Sequence, residues 1–248
     1  MPATNQPRRT LLLTGASRGI GHATVKRFSD AGWRIITCSR EEVPAECKRD
    51  PNWTHHITAD LAIPADVERL VGEANRHLDG ALDALVNNAG VSPKTPIRER
   101  LGVLNGGIDA WRAVFQLNFF VPLMLARAFA APLAHARGAI VNVTSIAGHA
   151  VHPFAGSAYS TSKAALSALT REMAVDFAEL GVRVNAVAPG EIETAMLSPE
   201  SAVLLPRIPL HRLGVPGDVA GTIFFLCSAD AAYLTGTEIF VTGGQHVY

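Results

Sequence analysis

The stretch "SAYSTSK" (157–163) places a phenol, Tyr159, four residues before a primary amine, Lys163, among small neighbours. If the segment is helical, the two side chains share a face with Cβ atoms about 5–6 Å apart. A free phenol titrates near about 10, too high for efficient proton exchange at neutral pH, and a nearby ammonium favours the phenolate. The pair is therefore either a general acid/base with a lowered pKa or an ordinary ion-pair ornament on a helix. A second stretch, "LLLTGASRGIGHATVKRFSDAG" (11–32), reads as strand, glycine-rich turn and helix, with Ile20, Thr24, Phe28 and Ala31 on one stripe and Gly32 as its stop. Gly15, Gly19 and Gly21 remove side chains where a backbone must turn sharply and approach a pyrophosphate, and the helix N-terminus offers free N–H groups and a positive dipole end. Glycines in such turns also serve packing alone; their place between the first strand and the first helix favours the nucleotide reading.

Apolar runs of strand length alternate along the chain with helical segments: 10–14, 34–39, 55–60, 83–88, 139–145, 182–188 and 237–242. Nearly continuous apolar strands, each followed by a helix, imply an α/β fold whose parallel sheet is covered on both faces, and right-handed crossovers make it doubly wound. With no internal repeat or linker, residues 1–248 are expected to form a single domain. Helices are expected over 109–136 and 157–180. The segments 91–108 and 191–216 read as loops at the carboxyl edge of the sheet, where open α/β folds bind ligands.

Composition narrows the function classes. Twenty-two basic and twenty-two acidic side chains give a formal charge of zero, so no global field recruits nucleic acid or an anionic membrane. The partners expected are small molecules and copies of the chain. Cys38, Cys47 and Cys227 are too few and scattered for a disulfide framework, and no pair has metal-ligand spacing. No metal site is expected, and no apolar run approaches the roughly 18 residues of a membrane span. The expectation is a cytoplasmic protein.

"TGASRGIG", "NNAG" (87–90), "YSTSK" and "PGEIET" (189–194), in that order over essentially the whole chain, resemble the classical short-chain dehydrogenase/reductase family. The resemblance implies a single Rossmann-type domain of about seven parallel strands, a homotetramer and a nicotinamide dinucleotide. It implies that Ser17, Arg18 and Ile20 accompany the glycines at the cofactor. Asp60 and Leu61 would flank the adenine, with a helix N-cap as the bland role for Asp60. Asn88, Ala89 and Gly90 would bring backbone against the adenosine ribose, and Pro189, Gly190, Ile192 and Thr194 would contact the nicotinamide. The second strand ends "TCSR": Ser39 stands where NAD-preferring relatives usually have aspartate, Arg40 follows, and Arg18 supplies a second guanidinium suited to a 2′-phosphate. NADP(H) is the expected preference; Glu41 and Glu42 keep NAD(H) open.

By the same resemblance Tyr159 is the general acid/base and Lys163 both lowers its pKa and hydrogen-bonds the nicotinamide ribose. Ser145 donates to the substrate oxygen, and Asn118 completes the tetrad. Strand alternation lets only one of Thr144 and Ser145 face the site. Pro122, four residues after Asn118 in a helical run, lacks the N–H that would bond the carbonyl of residue 118. That carbonyl could begin a proton relay through a water on Lys163, or simply be hydrated at a proline kink.

The substrate pocket is expected from Ser92, Pro93, the segment after Ser145, and Glu191, Met196 and Leu197. Similarity is strongest to 3-oxoacyl-thioester reductases. Yet the helix after the active site carries Glu172, Asp176 and Glu179 where a carrier protein wants a basic face, and Glu191 is foreign to a greasy pocket. A small polar alcohol, sugar or hydroxy acid is the alternative substrate. His149 and His152 could help bind an acid substrate, with ordinary loop histidines as the expected reading. A non-catalytic redox sensor that binds NADP(H) is the alternative of another class. Surplus apolar and small residues on the two long helices suit subunit packing.

Overall fold

The computed structural model describes residues 8–44, 47, 50–95, 99–197 and 199–247. Seven strands, β1 (Thr10–Thr14), β2 (Arg34–Ser39), β3 (Trp53–Thr58), β4 (Ala84–Asn87), β5 (Ala139–Val143), β6 (Arg183–Pro189) and β7 (Glu238–Val241), form one sheet in the order β3-β2-β1-β4-β5-β6-β7. All pairings are parallel. The order reverses between β1 and β4, so their carboxyl ends open the crevice that such sheets use for ligands.

The helices are α1 (Gly19–Asp30), α2 (Pro64–Asn75), α3 (Ile108–Phe115), α4 (Val121–Ala128), α5 (Ala130–Ala136), α6 (Ser157–Ala178) and α7 (Pro216–Cys227). Strand alternation splits the apolar residues between two faces. Leu12, Ile36, Leu85 and Ile140 meet Leu70, Leu125, Phe129 and Phe177 on the side of α2, α4, α5 and α6. Leu11, Leu13, Val86 and Val141 meet Val25, Phe28, Val219 and Ile223 on the side of α1 and α7. Burial on both faces is why these strands read as continuous apolar runs. Beneath the site, Asn87 Nδ2 donates to Asn142 Oδ1 at 2.8 Å and Asn142 Nδ2 to Thr170 Oγ1 at 2.9 Å. This buried chain ties β4 and β5 to α6 and fixes where α6 presents its first turns.

The strand expectations agree with the structure to within a few residues, and β1 and β2 match end to end. On α1 the buried stripe runs through Thr24, Val25 and Phe28; Ala31 is an exposed C-cap, followed by Gly32 at φ 76°. The helix expected over 109–136 is broken. A π turn at Gln116–Phe120 precedes α4, and the axis bends by 61° between Ala128 and Ala130. Pro132 lacks the N–H that would bond the carbonyl of Ala128, which separates α4 from α5. Of the two loops, residues 96–98 and 198 lie outside the described residues; the remainder carries the short bridges Lys94–Arg100 and Ile192–Gly214. Among the described residues no single helix is long and apolar enough to cross a membrane.

Candidate active site

The crevice at the β1/β4 switch is a cleft of about 530 Å³. At one end β1 gives way to the glycine turn. Gly15 has φ 74° and Gly19 φ 56°, left-handed values that favour glycine. A Cβ at Gly21 would stand 2.0 Å from the Gly15 carbonyl oxygen, so only bare backbone fits. The turn is braced from the segment just after β4: Asn88 Nδ2 donates to the carbonyls of Thr14 and Gly15 at 3.0 Å, and Thr14 Oγ1 accepts from the N–H groups of Asn88 and Ala89 at 3.1 Å. No side chain caps α1, which leaves its first N–H groups open toward the cleft, as a pyrophosphate requires.

Past β2, the Ser39 hydroxyl donates to the Glu41 carbonyl at 2.6 Å, and His56 Nε2 reaches the same oxygen at 2.8 Å. A carbonyl only accepts, so the His56 proton is on Nε2. Nδ1 then accepts from Thr37 Oγ1 at 2.7 Å, and Thr37 in turn accepts from Trp53 Nε1 at 2.6 Å. Burial keeps the His56 pKa below its ordinary value, consistent with this neutral tautomer. Arg18 Nη1 lies 3.9 Å from Glu41 Oε1. Asp60 is not a helix N-cap, since Ile63 precedes α2; its Oδ1 accepts from the Ala62 N–H at 3.0 Å in a local turn.

At the other end, Tyr159 and Lys163 project from the first turns of α6. Lys163, almost fully buried, donates from Nζ to the Val143 carbonyl at 2.6 Å and sits 5.8 Å from the Tyr159 ring centre. Burial brings the Lys163 pKa down to about 8. The Tyr159 phenol is pushed up from its ordinary value by burial; a Ser145 hydrogen bond opposes this and the Glu191 charge adds to it. The expectation of a lowered phenol is therefore corrected for the chain by itself. Desolvation and a carboxylate outweigh the Ser145 hydrogen bond, while the Lys163 ammonium is itself buried and turned to Val143.

Ser145 Oγ accepts from the Ala147 N–H at 3.2 Å, which holds it at the end of β5. The Thr144 hydroxyl, whose single proton serves one acceptor at a time, lies 3.0 Å from the Val187 carbonyl oxygen and against the Glu238 carboxylate. Asn118 is fully buried in the π turn. Its Oδ1 accepts from the Val91 N–H at 2.9 Å; its Nδ2 donates to the Val91 carbonyl at 3.0 Å and to Ser162 Oγ at 3.1 Å. The missing Pro122 N–H is accommodated by this wider turn, in which the Val121 N–H reaches back five residues to the Gln116 carbonyl, rather than by a kink.

The structure brings Gly15, Ser17, Arg18, Gly19, Ile20, Gly21, Ser39, Arg40, Asp60, Leu61, Asn88, Ala89, Gly90, Pro189, Gly190, Ile192 and Thr194 to one cleft with Ser145, Tyr159 and Lys163. Asn118 lies behind its wall: a Cβ on Gly90 would meet Asn118 Oδ1 at 3.3 Å and Lys163 Nζ at 3.4 Å. Ser92, Pro93, Met196 and Leu197 line the outer part. Among the described residues no cluster of three or more His, Cys, Asp or Glu could hold a metal ion.

A family model described as enoyl-(acyl carrier protein) reductase matches residues 15–246. Protein FixR of Bradyrhizobium diazoefficiens is 54% identical over 242 residues, 96% of this chain and 87% of that one. An oxidoreductase of the short-chain dehydrogenase/reductase family from Brucella ovis, solved in complex with a partially ordered NAD, superposes with a TM-score of 0.81 at 50% identity over 94% of this chain and 99% of that one. The chain belongs to the classical short-chain dehydrogenase/reductase family. Another relative, the L-fucose dehydrogenase of Bos taurus, is 31% identical over 255 residues, 98% of this chain and 92% of its own. This short-chain dehydrogenase/reductase is thus an NAD(P)-dependent enzyme, with the seven-stranded Rossmann-like sheet expected from the sequence.

Several residues of this short-chain dehydrogenase/reductase site escape a reading of the sequence. His56, on β3, holds the loop after β2. Ser162, one helical turn past Tyr159, donates to the Tyr159 carbonyl at 2.7 Å and receives Asn118. The two loop histidines are not ordinary: His149 Nε2 lies 2.8 Å from Glu238 Oε2, and His152 Nε2 lies 2.5 Å from Glu191 Oε1. The register between β2 and β3 pairs Thr37 with His56, a proximity that no local spacing reveals.

Proposed function

We propose that this enzyme interconverts a carbonyl and a secondary alcohol, with Tyr159 as general acid/base and NADP(H) as the preferred dinucleotide. The observation that carries the reading is the convergence of Ser145, Tyr159 and Lys163 on a cleft continuous with the uncapped glycine turn. The glycine cradle fits a pyrophosphate, and a dinucleotide bound there supplies or takes up the hydride at its nicotinamide. In reduction, Tyr159 gives its proton to the carbonyl oxygen while the Ser145 hydroxyl donates to that oxygen and stabilises its developing charge. A phenol kept protonated by burial suits the reductive direction. Lys163 holds positive charge within one turn of the phenol, and Asn118 positions Val91 and α6. Tyr159→Phe tests the reading and separates it from a redox sensor: NADPH binding should survive while carbonyl reduction is lost. Unchanged reduction by this variant refutes it.

Preference for NADP(H) is supported by Arg18 and by Arg40, which is exposed and has no carboxylate partner among the described residues. Titration with NADPH and NADH by nicotinamide fluorescence should show tighter NADPH binding, weakened selectively by Arg40→Ala; NADH binding tenfold the tighter would reverse the assignment. A 3-oxoacyl-type substrate is supported by the name of a 35% identical relative, the 3-oxoacyl-[acyl-carrier-protein] reductase of Synechocystis. The buried Glu191 in the cleft favours the second reading, a small polar alcohol or sugar, which the name of the bovine relative also supports. The same proposal includes one catalytic domain over residues 1–248, a homotetramer, supported by exposed Phe120, Val175 and Tyr233, and a cytoplasmic location, supported by three free, buried cysteines.

A further inference from the structure

Two side chains that hydride transfer does not use stand in the substrate end of the cleft. His152 comes from the loop between β5 and α6, Glu191 from the loop after β6, and both line the wall shared by Ser145 and Tyr159. Nδ1 of His152 accepts from the N–H groups of Phe154 and Ala155, each at 3.2 Å. A nitrogen that accepts carries no proton, so the neutral ring holds its proton on Nε2 and donates it to Glu191 Oε1 at 2.5 Å. Turning the ring over would break both main-chain bonds, so its orientation is fixed. Glu191 is only 6% exposed, and a carboxylate that buried is costly unless its oxygens find donors. Oε1 has His152. Oε2 makes no hydrogen bond among the described residues. The carboxylate is also near the chemistry, since its charge contributes to raising the Tyr159 pKa.

We infer that Glu191, held by His152, selects substrates that carry a hydrogen-bond donor, a hydroxyl or ammonium group, close to the reacting carbon. The inference rests on the oxidoreductase reading above and specifies its substrate class. An ionised carboxylate only accepts, so it favours O–H and N–H groups and opposes carbonyl and carboxylate oxygens. An alkyl chain against Oε2 would remove its water and return no hydrogen bond. Sites built to pair a substrate hydroxyl discriminate strongly against analogues that lack it, for this reason. A 3-oxoacyl thioester presents an acceptor carbonyl beside the reacting ketone and is disfavoured on the same ground.

The test is the NADP-dependent oxidation of 2,3-butanediol, 3-amino-2-butanol and 2-butanol, with kcat/KM compared for the wild type, Glu191→Leu and Glu191→Gln. Circular dichroism and NADPH titration establish that each variant is folded and loaded. The wild type should prefer a donor-bearing alcohol over 2-butanol by at least about tenfold, and Glu191→Leu should remove most of that preference. The diol and the amino alcohol separate the two donors. Glu191→Gln, whose amide oxygen still accepts, should retain preference for a hydroxyl and lose preference for an ammonium. Equal kcat/KM for all three alcohols, a preference unchanged in Glu191→Leu, or no turnover of the diol and the amino alcohol by the NADPH-binding wild type overturns the inference. Turnover of 2-butanol alone overturns it while leaving the oxidoreductase reading intact. Failure of that reading shows separately, as carbonyl reduction that survives Tyr159→Phe.

Discussion

The two ends of the cleft are built from different materials. The dinucleotide end is backbone: a left-handed Gly15, a Gly21 with no room for a Cβ, and the open N–H groups of α1, braced by one asparagine just after β4. The substrate end is made of polar side chains held in pairs, Glu191 with His152 in the cleft and Asn118 with Ser162 behind its wall. Backbone cradles fail by steric exclusion, because an added side chain meets the turn's own backbone, as at Gly21. Paired polar groups fail by abandonment, because removing one member leaves the other buried without its partner. The first kind of site is generic among dinucleotide-binding folds, whereas the second can be changed one pair at a time and so can carry specificity.

The largest effect expected is at the substrate end. Tyr159→Phe removes the transferable proton and should lower kcat by about 10²–10⁴-fold with NADPH affinity preserved, measured by steady-state kinetics beside fluorescence titration. If affinity falls in parallel, the two ends are not separable. Next comes Gly21→Ala, whose Cβ would lie 2.0 Å from a carbonyl oxygen. Overpacking of this kind costs about 1–3 kcal/mol, so both the melting temperature and NADPH affinity should fall, the latter by more than about tenfold. Wild-type affinity in this variant would show that the cradle is not rigid.

Lys163 links the two ends and gives a pH signature. Its folded-state pKa of about 8 lies below the ordinary 10.5, so between those values the unfolded chain holds the extra proton. Stability relative to Lys163→Met should rise as pH climbs from about 8 to about 10.5, by up to about 3 kcal/mol, in urea denaturation series on both proteins. A flat difference would mean that the ammonium is solvated. The smallest effect belongs to His56→Leu. It removes one of two donors to the Glu41 carbonyl, and NADPH affinity should weaken about threefold with kcat unchanged.

Much of the dinucleotide end was legible because its determinants are local: strand, glycines and helix follow one another within residues 11–32. Tyr159 and Lys163 were legible for the same reason, one turn apart on α6. The direction of the phenol's pKa was not, because it depends on burial and on Glu191, thirty-two positions away in the sequence. Pairs such as His152 with Glu191 or Thr37 with His56 exist only once neighbouring strands and the loops that follow them are in register. The break between α4 and α5 could have been read from Pro132. The π turn around Asn118 could not, because Pro122 alone is equally compatible with a kink.

That π turn has a consequence for how the chain tolerates insertions and deletions. A wide turn carries one residue more than a regular helical path. Deleting a residue between Gln116 and Phe120 would let the helix run on with ordinary hydrogen bonds, yet each residue is worth about 100° of rotation. The helix would become more regular while either Asn118 swung away from Val91 and Ser162, or Leu125 and Phe129 left the core. At this point the chain keeps an irregular helix as the condition for having both a packed core and a positioned site, and a designer who shortened it to improve helical order would give up one or the other.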